Sequence, residues 1–284
     1  MEYIVTAEKR KTIKLKAAPQ CDVTIRLSDI SKTYSGVLAL REANVEFYVG
    51  EVHAILGENG AGKSTLMNII SGTTYPTLGK IFFNEEVIPQ MTPEIAKSLG
   101  IAISFQHPAV LEDLSVLENL QVALPASLFA GGSAQTIAHK ILDAVGLAVP
   151  LRARTDTLTV AEKHLLEIAK ALAINPKVLI LDEPTASLDQ DATNMLFRRI
   201  REVVKSGTSV IYITHRLAEL RQIAHRVTVL RDGRVRGSSL VNEITDSDLL
   251  SLIVGRALGS TFPPKAKSNS GETNFSVTSL SSKI

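Results

Sequence analysis

The segment Gly57-Glu-Asn-Gly-Ala-Gly-Lys63-Ser64-Thr65 restricts this chain more than any other. It fills the pattern G-x-x-x-x-G-K-[ST], with the apolar run Val52 to Leu56 directly before it and the helix-like Ser64 to Ser71 directly after. A strand, a glycine-rich turn and a helix in that order aim successive backbone N–H groups at one point beside a helix N-terminus. Gly57, Gly60 and Gly62 allow the loop to curl around a phosphate, with Glu58, Asn59 and Ala61 carrying the backbone between them. Lys63 brings positive charge to the phosphate oxygens, the Ser64 hydroxyl can take a place on Mg²⁺, and Thr65 closes the pattern.

A second segment, Leu158 to Asp189, supplies the carboxylates such a site needs. Thr159 and Glu162 have the Thr-x-x-Glu spacing of a capping box, so a helix should begin there and present its free N–H groups to an anion. Leu165, Ile168, Ala169 and Leu172 recur on one helical face, and Asn175-Pro176 ends the helix. Val178 to Leu181 is an apolar run short enough for a buried parallel strand, and it delivers Asp182 and Glu183 at its carboxyl end. Ligands of open α/β sheets bind at that edge.

Together these segments resemble the nucleotide-binding domain of ABC transporters, over a span from about Ile25 to Arg256. The resemblance implies an α/β fold: a P-loop NTPase (RecA-like) core with an antiparallel β subdomain and an inserted helical subdomain, binding ATP with Mg²⁺. It also implies roles for individual residues. Tyr34, in Ser31-Lys-Thr-Tyr34, takes the position that stacks on adenine. Gln106, after the apolar Ile101 to Phe105, resembles the glutamine that touches Mg²⁺ and senses the membrane partner, with the His107 to Leu114 loop and the helical lobe as docking surface. Asp182 resembles the carboxylate that holds Mg²⁺ through water, and Glu183 the group that orients or deprotonates the attacking water. Ser187-Leu-Asp189 is similar to the loop that communicates across a dimer, and His215, ending Val210 to Thr214, to the switch histidine on the γ-phosphate. Thr159 and Ala161 belong to the signature helix that closes over the nucleotide of a second domain. The family usually has Ser and Gly at these two places. Thr159 keeps the hydroxyl, whereas Ala161 adds a methyl where a phosphate should approach.

Length and composition agree with one such domain. The chain has 284 residues, and a 45% hydrophobic content suffices for a large core. Residues 1–21 read as an N-terminal extension, 22–256 as the ATP-binding domain with its helical subdomain at about 108–157, 257–274 as a linker, and 275–284 as the start of a truncated second domain. The net charge of +2 is spread over segments of mixed sign, so no nucleic-acid partner is expected; the cluster Lys9-Arg10-Lys11 with Lys14 and Lys16 sits in the extension. The single Cys21 excludes a disulfide framework or a multi-cysteine zinc site. No run approaches the length of a membrane span and no signal peptide is read at the N-terminus, so a membrane link is expected to come through a partner.

Finer features resemble the first half of sugar-importer ATPases of the ribose and galactose type, which carry two such domains in one polypeptide. These are the Leu158-x-Val160-x-Glu162 signature, the phrase Glu167-Ile-Ala-Lys-Ala171, and Ile253-Val-Gly-Arg256 ahead of Phe262-Pro-Pro264. The resemblance then implies a peripheral protein at the cytoplasmic face of the plasma membrane. Its partners are membrane permease subunits, a second ATP-binding domain and, indirectly, a periplasmic or extracellular substrate-binding protein. A soluble ABC-type mechanical ATPase and a nucleoside or furanosyl-signal importer subunit stand as alternatives.

Overall fold

The structure, a computed structural model, describes residues 22–255. The expectations for the 1–21 extension, Arg256, the 257–274 linker and the 275–284 strand lie outside the described residues. In chain order, β1 (Val23–Tyr34) and β2 (Val37–Tyr48) form an antiparallel hairpin. Its turn residues Ser35 and Gly36 have φ of 45° and 87°, the left-handed pair that matches strand twist in a tight hairpin. The strand β3 (Val52–Leu56), buried throughout, leads through the glycine-rich loop into α1 (Lys63–Ile70).

The chain then returns to the first sheet with β4 (Leu78–Phe83) and β5 (Glu86–Ile88), two strands that the sequence pattern does not announce. The first three residues of β4 are exposed, so the two-residue alternation that marks a half-buried strand is missing from its start. Next come α2 (Pro93–Ser98), capped by the Thr92 hydroxyl accepting from the Ile95 amide, and β6 (Ile101–Ser104). A mainly helical stretch follows, with α3 (Val116–Ala123) and α4 (Ala134–Asp143) as its main elements. The remaining units are α5 (Val160–Ala173), β7 (Val178–Asp182), α6 (Gln190–Lys205), β8 (Ser209–Thr214) and α7 (Leu217–Ile223). The described chain ends with β9 (Arg226–Arg231), β10 (Arg234–Leu240) and α8 (Asp246–Val254). Asp232 and Gly233, both at positive φ, make a two-residue hairpin turn between β9 and β10.

Among the described residues ten strands make two sheets, one ordered β2-β1-β4-β5 and the other β10-β9-β3-β8-β7-β6. In the second sheet all pairings but β9 with β10 are parallel. The apolar runs of its central strands are continuous because both faces are covered. Leu179, Leu181, Val210 and Tyr212 pack on the side of α5 and α6, whereas Val178, Ile180, Ile211 and Ile213 pack toward α1 and the antiparallel sheet. Each such side chain contributes about 1.5–3 kcal/mol when fully buried, and a slip of one residue would exchange the two sets. The register is therefore tightly specified.

That register sets the site. Leu56 pairs with Thr214, Asp182 with Ile213, and Ser104 with Leu181, so β3, β7, β8 and β6 end at one edge of the sheet. Gly57, Glu183, His215 and Phe105 each follow one of those ends. Among the described residues no helix is long and apolar enough to cross a membrane.

Candidate functional site

A cleft of about 440 Å³ opens at this edge. Its walls include the loop and first-turn residues Asn59, Gly60, Gly62, Lys63, Ser64 and Thr65. Across from them stand Gln106, Asp182 and Glu183, and Tyr34 closes one end. Residues separated by more than a hundred positions in the chain thus face one space. Gly57, Glu58 and Ala61 shape the loop from behind. Gly62 has φ of 103°, and a Cβ there would lie 2.8 Å from the Ala39 carbonyl oxygen, so only glycine fits.

Lys63 is 7% exposed and donates to the carbonyl oxygens of Gly57 at 2.8 Å and Glu58 at 3.0 Å. Burial pulls its ammonium pKa down, and the nearby Glu183 and Asp182 oppose that shift. Asp182 is raised chiefly by burial and secondly by the charge of Glu183, with Lys63 opposing. One cation therefore faces two adjacent carboxylates in a partly desolvated cleft. Ser64, Gln106 and Asp182 present oxygen donors with a single carboxylate among them, a set suited to Mg²⁺, which keeps several waters and otherwise takes phosphate oxygens.

Glu183 occupies the left-handed region with φ of 49°, and its amide donates to the Ile213 carbonyl at 3.1 Å. Such a backbone costs of order 1–3 kcal/mol in a residue other than glycine and turns the carboxylate sharply off the strand. His215 Nδ1 donates to Glu183 Oε1 at 3.0 Å, so the two groups proposed for the hydrolytic step hold each other. Tyr34 is 42% exposed, and the Lys32 ammonium lies 4.9 Å from its ring centre.

Three of the residues expected to touch nucleotide stand away from this cleft. Thr159 and Ala161 lie in the cap and first turn of α5, where Thr159 accepts from the Glu162 amide at 3.2 Å and Glu162 accepts from the Thr159 amide at 2.8 Å. The Asp189 carboxylate accepts from the Ala192 amide at 2.8 Å and caps α6. Thr159 and Val160 at the start of α5 are exposed.

The structure also joins residues that sequence reasoning missed. Glu167 is 4% exposed, and its two oxygens accept from the amides of Phe105 at 3.1 Å and Ala109 at 2.6 Å. Lys170 donates to the Ala109 carbonyl at 2.7 Å. His164 lies between the Gln106 carbonyl, 2.9 Å from Nε2, and the Ser187 hydroxyl, 2.7 Å from Nδ1. Behind the strands, Glu219 accepts from Thr185 at 2.7 Å, Tyr212 at 2.8 Å and Thr214 at 3.1 Å. Thr185 follows Glu183 by two positions and Thr214 precedes His215 by one. For His164, Glu167 and Glu219 the sign in the sequence is a polar residue among the apolar positions of a helix.

The comparisons accord with this geometry. A family model described as ABC transporter matches residues 40–186. The D-allose import ATP-binding protein of Escherichia coli is 38% identical over 269 residues, covering 91% of this chain and 53% of that protein. A ribose import ATP-binding protein of Rubrobacter xylanophilus is 41% identical over 262 residues, with 90% and 52% covered. The chain spans about half the length of the curated relatives it matches. A dimeric ATP-binding cassette in a post-hydrolysis state, bound to ADP and Pi, aligns with a TM-score of 0.69 at 25% identity, over 76% of this chain and 98% of that one. A nucleotide-free cassette from an ABC transporter aligns with a TM-score of 0.69 at 26% identity, over 82% and 96%. On the matched model, the relatives and the shared two-sheet architecture, the chain belongs to the ABC transporter family.

Proposed function

We propose that this chain binds and hydrolyses ATP as the energising part of an importer of a monosaccharide or related small solute. The observation that carries the reading is the single cleft faced by Lys63, Gln106, Asp182 and Glu183, with His215 bonded to Glu183. In it the loop amides and Lys63 bind the phosphates, Tyr34 takes the base, and Ser64, Asp182 and Gln106 hold Mg²⁺. The metal supplies neutralising charge on the phosphate oxygens when bound. Glu183 accepts a hydrogen bond from the attacking water and polarises it, while His215 fixes the carboxylate and borders the terminal phosphate. Little covalent work falls to the protein; position and charge provide the rate.

The same reading assigns Thr159, Ala161 and Asp189 to the site of a second ATP-binding domain, which would leave one domain alone a poor ATPase. The domain spans 22–256 in this proposal, with the helical subdomain at about 108–157. A groove of about 360 Å³, with Phe105, Ala109, Glu167 and Lys170 in its wall, supports docking of membrane permease subunits between core and helical lobe. Held there, the protein would be peripheral at the cytoplasmic face and would meet an external substrate-binding protein only through the permease. The sugar reading rests on relatives named for D-allose and ribose import.

Lys63→Ala and Glu183→Gln test the assignment. The first removes the cation from the phosphates and should abolish tight Mg-ATP binding. The second keeps shape without a carboxylate, so binding should persist while turnover stops. Equal loss of nucleotide affinity in both would overturn the roles. Transport of labelled ribose or allose by the complex reconstituted with its permease tests the importer reading.

A further inference from the structure

We propose that His164 is a positioning residue that ties two loops of the ATP site, those of Gln106 and Ser187, to the signature helix α5. This inference rests on the ATPase reading above and goes beyond it, since nothing there gives His164 a task. The geometry dictates the proton arrangement. A backbone carbonyl can only accept, so Nε2, 2.9 Å from the Gln106 oxygen, carries the ring hydrogen. In the neutral ring Nδ1 is then an acceptor, and the Ser187 hydroxyl 2.7 Å away donates to it. The ring is 6% exposed, so these two partners rather than water satisfy its nitrogens.

Both ends of this bridge lead to groups proposed for the chemistry. Gln106 itself faces the cleft. Ser187 lies in a turn that begins at Glu183: the Ala186 amide donates to the Glu183 carbonyl at 3.1 Å and the Leu188 amide to the Thr185 carbonyl at 3.2 Å. A displacement of α5 therefore reaches the metal-side glutamine and the water-polarising carboxylate together. Glu167 and Lys170, one and two turns further along α5, hold Phe105 and Ala109 in the same loop. Of these three α5 side chains, His164 is the one that also reaches Ser187. The loop carrying Gln106 is thus fastened to the helix by side chains at i, i+3 and i+6, and the Ser187 loop joins the same assembly through one imidazole. Because the start of α5 is exposed and reserved in the proposal for a partner nucleotide, the bridge would make each domain's glutamine and carboxylate respond to closure on its partner.

The experiment compares His164→Ala and His164→Gln in the full chain assembled with its partner domain and permease. Mg-ATP affinity, kcat, KM, Tm and amide hydrogen exchange across residues 105–109 and 186–189 are measured for each. Misplacement of catalytic groups by about an ångström can cost on the order of a hundredfold. His164→Ala should accordingly lower kcat by roughly 10- to 100-fold. Its Mg-ATP affinity should stay near that of the parent, and exchange should quicken in both loops. Gln can donate to the Gln106 carbonyl and accept from Ser187, so His164→Gln should recover most of the rate and the protection. An alanine variant with parental kcat and unchanged exchange would overturn the proposal, as would equal losses in both variants accompanied by a matching fall in Tm. Should the parent itself prove inactive toward ATP, the ATPase reading fails, and unchanged exchange in His164→Ala would still refute the bridge separately.

Discussion

Replacing Glu219 by alanine should destabilise the domain far more than its place in a short helix suggests. Its carboxylate accepts from Tyr212 and Thr214 on one oxygen and from Thr185 and Arg216 on the other. Tyr212 is 0% exposed and Thr185 2%, so neither hydroxyl can turn to water when the acceptor is gone. Burial, reinforced by Glu219, also pushes the Tyr212 phenol up, keeping it a donor. A buried donor stripped of its partner costs about 1–3 kcal/mol, which puts these two together at about 4 kcal/mol. Arg216 is half exposed and adds little. In a domain of this size each kcal/mol moves Tm by about 2–4 °C, so the variant should melt about 8–16 °C lower. Glu219→Gln keeps one acceptor oxygen, and the hydroxyls can reorient to receive its amide hydrogens, so its loss should be less than half as large. Scanning calorimetry of the two variants beside the parent measures both quantities. A Glu219→Ala protein melting within about 2 °C of the parent would refute the argument that this carboxylate anchors β7 and β8 behind the site.

Two further outcomes follow from the cleft and the signature helix. Gly62→Ala forces a side chain to φ of 103° with its Cβ 2.8 Å from the Ala39 oxygen and from Leu40 Cδ2, so Mg-ATP affinity should fall at least about tenfold by equilibrium titration, since strain of order 1–3 kcal/mol would be relieved only by moving the loop. Parental affinity would show that the loop tolerates the methyl. Ala161→Gly in the assembled transporter should raise ATP turnover by about 2- to 10-fold, because a methyl at a close phosphate contact displaces donors by a fraction of an ångström. An unchanged rate in a steady-state assay would show that the helix start accommodates the methyl.

Where reasoning from the chain alone succeeded, the information was local. The glycine loop and the Thr159–Glu162 capping box are each decided by a few consecutive residues, and each forms as its residues dictate. The buried strands β3, β7 and β8 are legible for a similar reason, since continuous apolar runs between turn signals leave few alternatives. Strands β4 and β5 escaped because much of their surface is exposed, and they are strands only by pairing with β1 and with each other. The pairing that fixes β4, and through it β5, is with β1, a strand remote in sequence.

The site divides along the same line. Residue types and spacing marked Lys63, Asp182 and Glu183, since phosphate chemistry demands a cation and carboxylates at a strand end, whereas Gln106 and His215 entered only through the resemblance to ABC nucleotide-binding domains. What held those groups in place was written nowhere in the local sequence. Glu219, Glu167 and His164 sit among apolar neighbours on α7 and α5, where a polar residue could as easily face solvent. Only the packing of those helices against β8 and the Gln106 loop turns them inward to buried partners, up to 62 residues away in sequence. Local propensity and periodicity act within a turn or a strand; the positioning of the loops that line the cleft rests on hydrogen bonds between distant segments, which exist only once the sheet register has brought those segments together.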